Sequence, residues 1–197
     1  MKYVIAFILT FMLSVNAQTN ISRLSIDLGI IGNYQDGFGN NKVYAFYPEV
    51  KIGGQFLTNY SEWEFFTSYW NDGIDEVFNV RDAATYSYSS FIVGSKLYFY
   101  PRRILQNFPL PIYFTSGLSY HKVYEKYIGG SDFVGNYRND NSFELLTFNF
   151  GLGLYFNLID NLRIRIDTNV FIPFRKNYII FNYGSNGTVK LGFDYFY

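Results

Sequence analysis

Two residues in this sequence combine a nucleophile with a base at close spacing, Ser119 and His121. His121 is the only histidine in the chain, and side chains two apart on a strand share one face. A histidine can accept the proton of a serine hydroxyl and so activate the serine for attack. Such catalysis also needs an orienting group within reach of the histidine. The pair is a candidate for hydrolysis, although a histidine with no catalytic role is far more common.

Two other segments carry residue types that could bind ligands. Asn71–Glu76 (Asn-Asp-Gly-Ile-Asp-Glu) concentrates oxygen atoms, but it lacks the full spacing of a calcium loop that ends in a bidentate glutamate. Gly129 and Gly130 are not followed by a helix pattern, so a phosphate-binding loop has almost no support. The absence of cysteine excludes a thiolate metal site and a disulfide scaffold. We therefore assign no catalytic, metal or cofactor-binding residue and expect no cofactor.

The composition is unusual in its balance of aromatic and charged residues. Aromatic residues make up 22% of the chain and charged residues only 16%, whereas soluble domains average about 25% charged residues. Basic and acidic residues number 16 each. The net charge therefore gives no reason to expect a nucleic-acid partner.

The N-terminus has the features of a secretory signal peptide. Met1-Lys2 provides a positive start, and residues 4–15 form an apolar run that only Thr10 and Ser14 interrupt. This run is shorter than the roughly 20 apolar residues of a membrane-spanning helix. We predict export through the general secretory pathway and cleavage after Ala17, with residues 1–17 as the signal peptide and 18–197 as the mature protein.

After Gln18 the chain repeatedly alternates apolar and polar residues with a period of two. This alternation is typical of β-strands whose two faces meet different environments, and no stretch shows a convincing apolar stripe at the helical period. Most of the segments approach or exceed the ~9–11 residues of a tilted transmembrane strand. The eight predicted strands are Arg23–Ile31, Val43–Phe56, Glu62–Trp70, Tyr86–Tyr100, Ile112–Lys122, Phe143–Phe156, Leu162–Phe171 and Thr188–Tyr197.

The two faces of these strands differ in kind. One face is apolar and carries no charged residue before Lys122, at a strand end, as exposure to lipid would require. This face includes Leu24, Ile26, Leu28, Phe46, Val50, Trp63, Phe65, Phe99, Phe114, Leu118, Phe148, Phe150 and Leu152. The opposite face holds the cations Arg23, Lys51, Lys96, Arg163, Arg165 and Lys190 and the acids Asp27, Glu49, Glu62, Glu64, Asp167 and Asp194. Seven glycines lie among these charges: Gly29, Gly53, Gly94, Gly117, Gly151, Gly153 and Gly192.

This pattern predicts an all-β fold, a transmembrane antiparallel up-and-down β-barrel of eight strands. Glycines leave room for long charged side chains in a narrow lumen, and six cations can pair there with six acids. The alternative is a soluble barrel with an apolar interior. We favour the membrane barrel because the apolar face is too aromatic for one small lumen, and because the glycines would otherwise face solvent.

The connections between the strands alternate in length. Thr58–Ser61 and Asn157–Asn161 are short, as the periplasmic turns of outer-membrane barrels are. Four others are longer: Asn33–Asn41, Asn71–Thr85, Val123–Ser142 and Ile172–Gly187. Pro101–Pro111 breaks the pattern, because it is long for a periplasmic turn and the sequence offers no reason. Asn177–Tyr183 is apolar for an outer loop, so it either prolongs the last hairpin or adds strands.

The last ten residues, Thr188–Tyr197, alternate strictly and end on an aromatic residue. They resemble the C-terminal signal that the barrel-assembly machinery of Gram-negative bacteria reads. The whole mature chain resembles the small eight-stranded outer-membrane barrels of the OmpX, OmpA and OmpW type, and especially the outer membrane protein β-barrel domain of Bacteroidetes-like bacteria. The resemblance implies residence in the outer membrane, among its lipids and lipopolysaccharide. No functional motif of a family matches, so no functional residue carries over.

Three functions are consistent with this resemblance. The first is a structural or interaction scaffold without enzymatic activity, which has a filled, charged lumen and displays its loops at the cell surface. The second is a hydrolase of lipid A that uses Ser119 and His121. Lipid A deacylases on eight-stranded barrels carry a serine two positions after the histidine, but Val123 stands there in this chain. The third is a small passive channel. The sequence identifies no specific ligand or surface partner.

Overall fold

A computed structural model describes residues 21–35, 43–56, 58–71, 85–105, 110–129, 140–174 and 183–197. The strands are β1 (Arg23–Gln35), β2 (Val43–Phe56), β3 (Thr58–Asn71), β4 (Thr85–Phe99), β5 (Ile112–Gly129), β6 (Asn141–Ile159), β7 (Leu162–Pro173) and β8 (Tyr183–Phe196). One helical turn, α1 (Pro101–Ile104), follows β4. Within the described ranges, no helix is long and apolar enough to cross a membrane.

The strands form one closed antiparallel barrel. Each strand pairs with the next in sequence, and β1 pairs with β8, with Arg23 opposite Phe196. The closure leaves no open edge, so every strand finds backbone partners on both sides. The predicted fold class and the strand number are confirmed.

Most strands are longer than the sequence predicted. The prediction of a turn at Thr58–Ser61 is wrong, because these residues belong to β3. This strand begins at Thr58, which lies opposite Phe56 of β2. The predicted turn at Asn157–Asn161 is longer than the observed one, because β6 continues to Ile159, which lies opposite Leu162 of β7. β8 begins at Tyr183, which pairs with Gln35 of β1, and the rest of Asn177–Tyr183 lies outside the described residues. The backbone ladder needs no particular side chain and therefore continues beyond the segments in which the two faces differ.

The two ends of the barrel differ in their connections. The short-turn end carries the connections β2–β3, β4–β5 and β6–β7, together with the beginning of β1 and the end of β8. At the opposite end, the long-loop end, β1, β3, β5 and β7 end and β2, β4, β6 and β8 begin. In the chain these strands are separated by the ranges 36–42, 72–84, 130–140 and 174–182. The predicted alternation is therefore present, with the β4–β5 connection as its exception.

The predicted assignment of the two faces holds with two corrections. The charged face points into the lumen, and the apolar face points outward and is mostly exposed. Trp63 and Phe65 face outward but are only 3% and 9% exposed, because α1 lies against β3 at this wall. Lys122 is not the only charge on the outer face, since Glu144 lies opposite it with Nζ and Oε1 3.1 Å apart. Glu144 lies two residues before Leu146 on the same strand and therefore shares its face. The sequence analysis overlooked this charge.

Candidate functional site

The lumen of the barrel holds the densest group of polar side chains among the described residues. All six predicted cations and all six predicted acids are buried there. Arg165 lies at the centre of the group, with Nη2 3.0 Å from Asp27 Oδ1 and Nε 2.9 Å from Asp194 Oδ1. Its Nη1 donates to Tyr98 OH at 2.9 Å. One guanidinium therefore joins strands from opposite sides of the barrel, and its planar fork suits several acceptors at once.

The other five cations continue the network along the barrel axis. Arg23 and Arg163 both pair with Glu62 near the short-turn end. Towards the long-loop end, Lys190 Nζ lies 2.8 Å and Lys51 Nζ 3.0 Å from Glu49 Oε1. Lys96 also faces Glu49, at 3.4 Å. Each lumen cation thus has at least one acid within ion-pair distance, as charges removed from water require.

Four buried tyrosines form a cluster in the lumen at the short-turn end: Tyr98, Tyr100, Tyr113 and Tyr155. The Tyr98 and Tyr113 rings lie 5.2 Å apart between centroids, and those of Tyr100 and Tyr155 lie 5.3 Å apart. The Arg163 guanidinium lies 5.4 Å from the Tyr100 ring, within the range of a cation–π contact. The phenols also bind the acids, because Tyr100 OH donates to Glu62 at 2.7 Å and Tyr113 OH to Asp167 at 3.0 Å.

An apolar layer of buried side chains lies in the lumen towards the long-loop end, and the sequence analysis did not predict it. Its members are Ile31, Ala45, Tyr47, Phe66, Trp70, Ile92, Val123, Leu145 and Phe171. Lys96 Nζ lies 4.1 Å from the centre of the Phe66 ring, where the charged network meets this layer. A signal was present in the sequence, because apolar doublets such as Phe65-Phe66, Tyr69-Trp70 and Val170-Phe171 make both faces of the strand apolar at these positions.

The lumen glycines provide space that neighbouring side chains occupy. A Cβ at Gly94 would lie 2.6 Å from atoms of Phe66 and Ser119, and one at Gly192 would lie 2.5 Å from Asp27 Oδ1. These distances are far below ordinary carbon contacts. At these two positions the lumen is filled to contact, as the sequence argument about small residues requires.

The structure brings Ser119 and His121 together inside the lumen. Ser119 Oγ lies 2.9 Å from His121 Nε2, and Thr147 Oγ1 lies 3.1 Å from the same nitrogen. Ser119 also donates to Asn149 Oδ1 at 3.0 Å. The two candidate residues therefore share a compact polar cluster with Thr147 and Asn149.

This cluster lacks two features of a hydrolytic site. His121 Nδ1, where an orienting carboxylate would accept a hydrogen bond, has no partner among the described residues. Ser119 and His121 are 2% and 0% exposed, and the Phe171 ring lies 5.1 Å from the imidazole. The serine hydroxyl therefore faces the barrel interior and not the outer wall where lipid would lie.

The other candidate sites fall mainly outside the described residues. Of Asn71–Glu76 only Asn71 is described, as the last residue of β3, and of the glycine pair only Gly129, the last residue of β5. Within the described part of the chain, no three histidine, cysteine or acidic residues are arranged to hold a metal ion. The predicted signal peptide, residues 1–17, also lies outside the described residues.

No protein-family model matches this sequence, and no curated protein matches it either. Solved structures do match the fold. Neisserial surface protein A is 9% identical with a TM-score of 0.57, over 91% of this chain and 99% of that one. The attachment invasion locus protein Ail of Yersinia pestis, in complex with the heparin analogue sucrose octasulfate, is 17% identical with a TM-score of 0.53, over 90% and 100%. A major outer membrane protein of Thermus thermophilus is 12% identical with a TM-score of 0.54, over 88% and 99%.

These matches span nearly the whole length of each chain. At 9% to 17% identity they concern the fold alone. The chain therefore has the fold of the small eight-stranded outer-membrane barrels, and the predicted resemblance to that class is confirmed.

Proposed function

We propose that this chain is an outer-membrane scaffold that holds its longer connections at the cell surface. The packing of buried side chains inside the barrel is the observation that supports the proposal. Paired charges lie in the middle of the lumen, tyrosines lie at the short-turn end, and an apolar layer lies towards the long-loop end. A barrel packed in this way is a rigid support for loops, whereas a porin needs an open aqueous channel.

The outer wall supports a location in the membrane. Large apolar side chains such as Leu152, Phe150 and Leu191 are exposed on it in continuous rows, and soluble proteins rarely expose so much contiguous apolar surface. Lipid and lipopolysaccharide are the proposed neighbours of this wall. In this arrangement the barrel-assembly machinery recognises Thr188–Tyr197, most of which lies in β8.

Cysteine labelling in intact cells tests this arrangement, and the native chain has no cysteine to interfere. Asp140, at the long-loop end, and Asn161, in the β6–β7 turn, are both exposed and form a matched pair. A membrane-impermeant maleimide should label Asp140→Cys in intact cells, but Asn161→Cys only after the outer membrane is opened. Equal labelling of the two variants, or recovery of soluble protein from the periplasm, would contradict the proposal.

Planar bilayers test whether the lumen conducts. The purified barrel should give no stable conductance of porin size, because the ion-paired side chains and the apolar layer project into the lumen. An authentic porin in the same bilayer provides the control. Steady openings would support the passive channel instead, and loss of a lipid A acyl chain that depends on Ser119 would support the hydrolase.

A further inference from the structure

An apolar groove of about 370 Å³ lies on the outer wall near the short-turn end. Its volume falls within the range of about 300–1,000 Å³ typical of ligand sites. The side chains that line it from outside the lumen are Phe99, Pro101, Leu105, Phe114, Ser116 and Phe150. The groove therefore combines three strands, β4 to β6, with the connection that sequence analysis could not explain.

The groove exists because one small residue interrupts a row of large ones. Ser116 faces outward on β5, opposite Leu97 of β4 and Phe150 of β6. Phe114 lies two residues before it and Leu118 two residues after it on the same face, and both are exposed. The missing volume at Ser116 leaves a depression with aromatic walls.

The β4–β5 connection forms the rim of this depression. Pro101 and Leu105 line the groove together with strand residues, so the described beginning of the connection lies against the outer wall. Leu105 and Leu110 are 57% and 54% exposed. Exposed apolar side chains beside a cation are typical of segments that lie at the boundary between acyl chains and headgroups.

Arg102 is an exposed cation that follows the groove residue Pro101 directly in the chain. An arginine at headgroup level attracts phosphate, with which its guanidinium can form two parallel hydrogen bonds. An apolar depression beside such a cation matches the two parts of an anionic lipid. Because the short-turn end faces the periplasm under the proposed function, the available lipid is a phospholipid and not lipopolysaccharide.

We propose that this groove binds one anionic phospholipid of the periplasmic leaflet, with an acyl chain over Ser116 and the phosphate beside Arg102. The inference rests on the proposed function, since it requires this wall to lie in the membrane. It also assigns a role to the beginning of the Pro101–Pro111 connection, where Pro101 and Leu105 form one side of the lipid site.

Native mass spectrometry of the folded mature barrel in detergent, titrated with phosphatidylglycerol, tests the site. The native barrel should retain one lipid, and Ser116→Phe should weaken this binding at least tenfold by filling the depression. Thr67→Phe is the matched control, because Thr67 is an exposed small residue of the outer wall on β3 and does not line the groove. Equal affinity of the two variants would overturn the proposal.

A second variant tests the headgroup contact. Arg102→Gln should remove the preference for phosphatidylglycerol over phosphatidylcholine while leaving acyl-chain binding in place. An unchanged preference, or retention of lipid A in place of phosphatidylglycerol, would overturn the assignment. Faster gel migration of unboiled protein shows that each variant is a closed barrel, and the Asp140→Cys labelling shows its orientation. If both controls succeed and lipid binding fails, only the lipid site is wrong.

Discussion

Replacing Arg165 with methionine should lower the free energy of unfolding by about 3–5 kcal/mol, the cost of leaving buried partner charges uncompensated. Arg165 contacts Asp27, Asp167 and Asp194 within the lumen, at 3.0, 3.4 and 2.8 Å. Without the guanidinium the lumen keeps six acids but only five cations, and methionine supplies no donor. Refolding into lipid vesicles, followed by tryptophan fluorescence across a urea series, measures the loss.

Lys122→Met is the matched control for this substitution. It also removes a cation from an ion pair, but Lys122 and Glu144 lie on the outer face, with side chains 29% and 36% exposed. The pair lies at the long-loop end of the apolar rows, beyond Leu118 and Leu146. Ion pairs exposed to water contribute about 0–1 kcal/mol, so this variant should unfold close to the wild-type midpoint. If Arg165→Met were no less stable than Lys122→Met, the lumen charges would be solvated and the interior would not be closed to water.

The second large effect concerns the outer wall. Leu152→Arg should cost about 2–4 kcal/mol, the range for an arginine that faces lipid near the middle of the bilayer. Leu152 lies on the outer face of β6 between Phe150 and Leu154, and all three side chains are exposed. The same vesicle refolding and urea series measures the change.

Leu158 provides a control on the same strand. It faces outward like Leu152, but it lies two residues before the β6–β7 turn and is exposed. The cost of a lipid-facing arginine falls to about 0–1 kcal/mol near the membrane interface, so Leu158→Arg should be nearly silent. Equal losses at the two positions would mean that the wall does not lie in a membrane with this depth profile. If Leu152→Arg and Leu158→Arg were both as stable as the wild type, the result would favour the soluble barrel.

Strand number, strand order and the separation of faces could be predicted from the sequence. Alternation is a local property, because successive side chains of a strand point to opposite faces whatever the rest of the fold does. Arg163, Arg165 and Asp167 therefore identified a charged face of β7 before any pairing was known. The equal numbers of lumen cations and acids likewise predicted that they would pair.

The Ser119–His121 pair shows where local reasoning ended. Spacing of two residues correctly predicted that the side chains are neighbours, and the hydrogen bond at 2.9 Å agrees. The spacing could not show which side chains of β6 contact this pair. Thr147 and Asn149 lie beside it because of the register in which β5 pairs with β6. Nor could it show that the His121 ring packs against Phe171, which lies 50 residues away in the chain.

The sequence by itself determined that this chain forms strands with one apolar and one charged face, because the two-residue period sends successive side chains to opposite faces. Only the tertiary structure decided what fills the barrel and what covers its wall. Closure brings Arg165 of β7 to Asp27 of β1, packs Phe66 and Trp70 with Phe171 in the apolar layer, and places α1 against β3. These contacts join residues far apart in sequence. They depend on the strand register and on the position of α1 after β4, and no local sequence pattern specifies either.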